Sequence, residues 1–154
     1  MSINFLEEAA IWLAEAEVDR ATAASLVGKF PAPACFHAQQ TAEKALKAIY
    51  LASGVDYPYF HAISELLGGL ADTYETLNQF RDVASVLDDY YIGTRYFSRS
   101  VGAVPRKRYT PKNAKDALVH AEAIFAECQQ LYGRLVMETG TGKRRETTVP
   151  TEEG

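Results

Sequence analysis

The stretch from Ala34 to Ser53 constrains this chain more than any other. Read at helical spacing, Cys35, Ala38, Ala42, Ala45, Ile49 and Ala52 recur at intervals of 3, 4, 3, 4 and 3 and form one continuous apolar seam. Most of its members are small. Small side chains let a second backbone come close, so the pattern predicts a helix at the centre of a bundle rather than on its edge. Roughly opposite, His37, Gln40, Thr41, Lys44 and Lys47 form a polar, partly basic stripe. By spacing alone this stripe reads as a solvated helix face, because long polar side chains normally stay in water.

The rest of the chain supplies partners for such a helix. Residues 4 to 28 read as a first helix, with Asn4 and Glu7 in capping-box positions and Gly28 placed to end it. Its expected inner face is Phe5, Ala9, Trp12, Ala16, Ala23 and Leu26. Pro31 and Pro33 are expected to bracket a short turn before the second helix, which runs to Ser53 and Gly54. A short third helix is expected over about 62 to 71, despite Gly68 and Gly69. Leu77, Phe80, Ala84, Leu87 and Tyr91 mark a fourth. Residues 92 to 111, with two glycines and two prolines, read as a long loop, a kind that often carries function. The last helix starts near Pro111, with Thr110 as its cap, and holds Ala114, Ala117, Ala121, Ile124, Cys128, Leu131 and Leu135 on one seam, with Gly133 as a point of fraying. From Glu138 onward the sequence is polar and nearly free of aliphatic residues, so one helical domain over 1–137 and a disordered tail over 138–154 are expected.

Three motifs in this order resemble a known family. Cys35-Phe-His-Ala-Gln-Gln-Thr-Ala-Glu-Lys-Ala-Leu-Lys-Ala48 is similar to the second helix of HEPN domains, the higher-eukaryote and prokaryote nucleotide-binding family. His61-Ala-Ile-Ser-Glu-Leu-Leu67 resembles that family's short third helix, and Leu87-Asp-Asp-Tyr-Tyr-Ile-Gly-Thr-Arg-Tyr96 resembles its tyrosine-rich signature. Together they cover roughly residues 5 to 135. The resemblance implies an all-α, four- or five-helix up-and-down bundle, usually a homodimer. Many members are ribonucleases, including toxins of prokaryotic toxin-antitoxin pairs and partners of small nucleotidyltransferases.

Charge narrows the function. The chain carries a formal net charge of -4, which argues against a general nucleic-acid binder. The charge is uneven, however. Seven basic residues and no acidic one fall between Tyr90 and Lys115, while the remainder holds nine basic and 20 acidic residues. In this loop Arg95, Arg99, Arg106, Lys107 and Arg108 alternate with Tyr96, Phe97 and Tyr109. Arginine forks bind phosphates and aromatic rings stack on bases, so contact with a phosphate or nucleic acid competes with a loop that merely balances acidic helices nearby. The two cysteines, Cys35 and Cys128, sit in apolar seams and read as buried free thiols. The N-terminus lacks the basic start of a signal peptide, and no run approaches a membrane span, so a cytoplasmic protein is expected.

Other chemistry is weaker. Asp88 and Asp89 are adjacent and point to different sides of a helix, which disfavours joint chelation and favours a salt link to Arg95. His37, His61 and His120 show no ligand spacing, so no metal is expected, and His61 reads as a capping or packing residue. Gly140-Thr-Gly-Lys143 lacks the spacing of a phosphate loop. In that family the catalytic motif is an arginine, four to six intervening residues, and then a histidine. No arginine lies at that distance before His37, His61 or His120, so the motif cannot be carried over. The leading expectation is therefore a homodimeric nucleotide- or RNA-binding module, without a cofactor, working beside a nucleotidyltransferase. Lys44, Lys47, Arg95, Arg106 and Arg108 would contact phosphate, and His37, Tyr91 and Tyr96 would orient or stack. The alternative is a metal-independent endoribonuclease with His37 as general base and Arg95 stabilising charge. A third reading is a scaffold with no ligand.

Overall fold

Five α-helices build the described part of the chain, and several of their ends are capped by side chains. In the computed structural model, which describes residues 4–93 and 109–140, these are α1 (Phe5–Leu26), α2 (Pro31–Ala52), α3 (Ile63–Leu70), α4 (Arg81–Gly93) and α5 (Pro111–Gly140). A 3₁₀ turn, Glu75–Phe80, leads into α4. No strand occurs among the described residues. The all-helical bundle expected from the sequence is what forms.

Asn4 caps α1, its side-chain oxygen accepting from the Glu7 backbone N–H at 2.8 Å. Thr110 and Asn113 cap α5 reciprocally. The Asn113 N–H donates to Thr110 Oγ1 at 3.2 Å, and the Thr110 N–H donates to Asn113 Oδ1 at 2.9 Å. Helix α3 borrows its cap from a distant residue. Asp88, on α4, accepts from the backbone N–H groups of Ile63 and Ser64 and from the Ser64 hydroxyl. A carboxylate there also complements the positive end of the helix dipole.

Several boundaries differ from the sequence expectation. Pro31 and Pro33 do not bracket a turn, because both lie in the first turn of α2. A proline there removes an N–H that has no intrahelical partner anyway, and its fixed φ suits the helix. Gly28 does not close α1 in a left-handed conformation; the helix ends at Leu26, with Val27 as a right-handed cap. Among the described residues the positive-φ glycine is Gly54, at φ 85°. There the Gly54 N–H donates to the Leu51 carbonyl at 2.8 Å and the Val55 N–H to the Tyr50 carbonyl at 3.2 Å. These are the two bonds of a Schellman ending. Phe5 is exposed, and Leu13 takes its place on the buried face of α1. Helix α5 passes through Gly133 without ending and runs three residues beyond the expected domain limit of 137. The rest of the expected tail, 141–154, lies outside the described residues, as does 94–108 of the expected loop.

Helix α2 is central and packs against α1, α3, α4 and α5. Cys35, Ala38, Ala42, Ala45 and Ile49 are fully buried, as the seam predicts. The opposite stripe is not a solvated face: Thr41 is fully buried and Lys47 is 4% exposed. With neighbours on several sides, α2 has little surface left to give to water. Both thiols are free and buried, and burial pushes the Cys35 thiol up to about 12.

Gly69 on α3 lies close against Tyr50 of α2. A Cβ there would meet Tyr50 Oη at 2.0 Å, and that hydroxyl donates to the Leu66 carbonyl at 2.8 Å. We expect Gly69→Ala to lower stability by about 1–3 kcal/mol, the usual cost of overpacking. In the Tyr50→Phe background the same change costs less, because the clashing oxygen is gone. Urea unfolding of the four proteins checks this, and equal costs in both backgrounds would refute the contact.

Candidate functional site: two carboxylate-held imidazoles beside the end of α4

Three elements position the site. Helix α2 carries Phe36, His37, Gln39, Glu43, Lys44 and Lys47; α1 contributes Asp19; and α4 delivers Tyr91 near its C-terminal end. His61 stands in the segment just before α3.

The first imidazole is His37. Its Nδ1 lies 2.8 Å from Asp19 Oδ1. A carboxylate can only accept, so Nδ1 carries the hydrogen. Lys44 Nζ lies 2.6 Å from the other Asp19 oxygen. The Asp19 side chain is 10% exposed, whereas those of His37 and Lys44 are 30% and 25% exposed. Burial alone pushes the Asp19 carboxyl up. The hydrogen bonds and charges of His37 and Lys44 outweigh that and hold it below its ordinary value.

The second imidazole is His61. Its Nδ1 lies 3.1 Å from Glu43 Oε1, and its ring stacks on Tyr91 with centroids 4.4 Å apart and planes 9° apart. Gln39 Nε2 donates to the His61 carbonyl at 2.8 Å. The packing role expected for His61 is present, and the buried carboxylate adds to it. Tyr91 also faces Phe36, with centroids 6.3 Å apart, and Phe36 lies edge-on to His37 at 5.4 Å. The two imidazoles thus flank an aromatic pair.

Lys47 is committed inward. Its ammonium lies 3.5 Å from Glu43 Oε2, 5.8 Å from the Trp12 ring centre and 5.3 Å from that of Tyr57. Trp12 and Tyr57 meet edge-on at 4.7 Å. A phosphate could reach Lys47 only by opening this packing. Lys44 is accessible but already paired. Arg95, Tyr96, Arg106 and Arg108 lie outside the described residues, so the expected link from Asp88 or Asp89 to Arg95 does too; Asp88 itself caps α3. Among the described residues no three His, Cys, Asp or Glu side chains gather as a metal site. No described helix is long and apolar enough to cross a membrane.

Sequence reasoning missed Asp19, Gln39 and Glu43. Each had a readable signal. Asp19 interrupts the small-residue seam of α1 between Ala16 and Ala23, where an unpaired charge would be costly. Gln39, Glu43 and Lys47 form an i, i+4 ladder beside the seam of α2.

Comparison with known proteins identifies the class. The HEPN domain family matches residues 9–131, and the chain belongs to that family. Among solved structures it is similar to TT1696 from Thermus thermophilus, with 34% identity, a TM-score of 0.71, and coverage of 80% of this chain and 97% of that one. It also resembles ST0689, an archaeal HEPN homologue, with 27% identity, a TM-score of 0.64, and 82% and 97% coverage. An HEPN domain protein from Thermotoga maritima is 29% identical, with a TM-score of 0.55 and 84% and 98% coverage. No curated protein matches the chain.

The lowered Asp19 carboxyl gives a pH prediction. Its stabilising contribution is fully present above the ordinary value of 3.8 and is lost as pH falls through the lower native value. We expect Asp19→Asn to be less stable than wild type near neutrality, and the gap to close toward a pH of about 2. Urea unfolding across this range measures it. A gap that stays constant with pH would show that the Asp19 charge contributes nothing.

Proposed function

We propose that this HEPN protein is a nucleotide- or RNA-binding module that acts as a homodimer, with a small nucleotidyltransferase as partner in a toxin-antitoxin-like pair. One observation carries the binding reading. Tyr91, stacked on His61 near the end of α4, stands four residues before Arg95, the first of the seven basic residues. An aromatic and imidazole surface thereby leads directly into a chain segment rich in phosphate-binding side chains. Bases stack on rings while arginine and lysine neutralise the backbone, the combination that single-strand binders use. In this reading Arg95, Arg106 and Arg108 hold phosphate, with Lys44 as an accessory cation. Tyr91 and Tyr96 provide the stacking surface. Lys47 is left out, since its charge is offset by Glu43.

The endoribonuclease reading has an observation of its own. The Asp19–His37 hydrogen bond fixes one imidazole nitrogen as a donor and leaves Nε2 able to take a proton from a ribose hydroxyl. The missing arginine-to-histidine spacing favours binding over cleavage.

Both readings meet in one assay. Purified protein should bind single-stranded RNA at low salt, with affinity falling as salt rises, because phosphate contacts release counterions. Replacing Arg95, Arg106 and Arg108 together by alanine should flatten the salt slope by about 2–3, close to one unit per lost contact. Cleavage that persists in EDTA and disappears in His37→Ala would establish the enzyme instead. Absence of binding to RNA and nucleotides at low salt would leave a scaffold.

A further inference from the structure

We infer that His61 is a ligand-contacting residue of this same site, offering its Nε2 to a phosphate or ribose oxygen of the bound RNA. The inference rests on the binding reading above and adds a residue to it.

The residue is held at three points, two of them on the ring. The stack on Tyr91 fixes its plane. Glu43 Oε1 accepts from Nδ1 and fixes its rotation. Gln39 anchors the backbone carbonyl of the same residue. Yet the side chain remains 51% exposed, while Glu43 behind it is 5% exposed. A carboxylate that accepts from Nδ1 leaves Nε2 as the nitrogen available to a partner.

Charge points the same way. The Glu43 carboxylate already has Lys47 on its other oxygen at 3.5 Å, and Gln39 Nε2 lies 3.4 Å from the oxygen that faces His61. Glu43 and Lys47 together are neutral. A proton on the ring would place a positive charge at the surface beside Tyr91, next to a carboxylate already shared with Lys47. That position adjoins the end of α4, from which the chain continues to Arg95. A neutral ring would accept from a ribose hydroxyl, and a protonated ring would donate to phosphate. Holding the ring in advance removes the rotamer entropy that a free histidine loses on binding.

The test uses the full chain and two probes, a single-stranded RNA decamer of uridine and inorganic phosphate. Histidine ring resonances are followed by NMR during each titration, and RNA affinity is measured for wild type, His61→Ala and His61→Phe. Thermal unfolding of each variant confirms that it folds. The His61 resonances should move with both probes. Both variants should lose roughly tenfold or more in RNA affinity, the scale of one charge-assisted hydrogen bond. His61→Phe decides the matter, since it keeps a ring against Tyr91 and loses both nitrogens. Wild-type affinity in His61→Phe would make the residue a packing element and overturn the inference, leaving the binding reading intact. If wild type binds neither probe and no His61 resonance moves, both fall.

Discussion

The close packing of α2 is the constraint on which the rest of the structure depends. Its seam of alanines, with Cys35 and Ile49, lets neighbouring helices approach on several sides. From Ala45 to Leu51 every residue is buried. A helix enclosed in this way keeps several of its polar residues from solvent. Gln39, Thr41, Glu43 and Lys47 are therefore inside, and each must find a partner or destabilise the fold. Thr41 returns its hydroxyl to the His37 carbonyl at 2.8 Å. Glu43 and Lys47 pair, and Gln39 spans to the segment before α3.

The site is a consequence of that enclosure. Burying a carboxylate is costly, and the cost falls when cations and donors surround it. Asp19 is enclosed between α1 and α2 and takes His37 and Lys44; Glu43 takes Lys47 and His61. Both imidazoles sit where the burial ends, with one nitrogen turned inward and part of the ring in water. The arrangement that satisfies the core also fixes two histidines at the surface. The proposed binding role uses a geometry that packing had already made rigid.

Much of the fold was legible because it rests on periodicity and caps. The seams of α2 and α5, the Asn4 and Thr110 caps and the short α3 follow from spacing and residue type. The misjudged features depend on tertiary surroundings. The polar stripe on α2 looks solvated in isolation, since spacing says nothing about how many neighbours a helix has. Pro31 and Pro33 suit a turn and a first helical turn equally well, and the continuing pattern decides between them. Gly28 and Gly54 both follow helices, yet only at Gly54 does the chain turn back through positive φ. His37, Lys44 and Tyr91 were readable as site candidates; Asp19 and Glu43 left a sequence signal, but their partners appear only when α1 and the segment before α3 meet α2.

The two histidines differ in a way that bears on binding and catalysis. His37 shares its carboxylate with Lys44, so the Asp19 charge is divided between two accessible cations. His61 likewise faces a carboxylate with a lysine on its other oxygen, here the buried Lys47 at 3.5 Å, and its own ring is the more exposed of the two. A base in catalysis gains from a carboxylate that stabilises the imidazolium it becomes, which is the arrangement at His37. A binding residue gains more from a fixed ring beside a stacking surface, which is the arrangement at His61 on Tyr91. Carboxylates packed against or carried by α2 thus hold one imidazole suited to each task, His37 on the helix itself and His61 in the segment before α3. The absence of an arginine at the family's catalytic spacing weakens the first and leaves the second untouched, because stacking and a single outward nitrogen need no such partner.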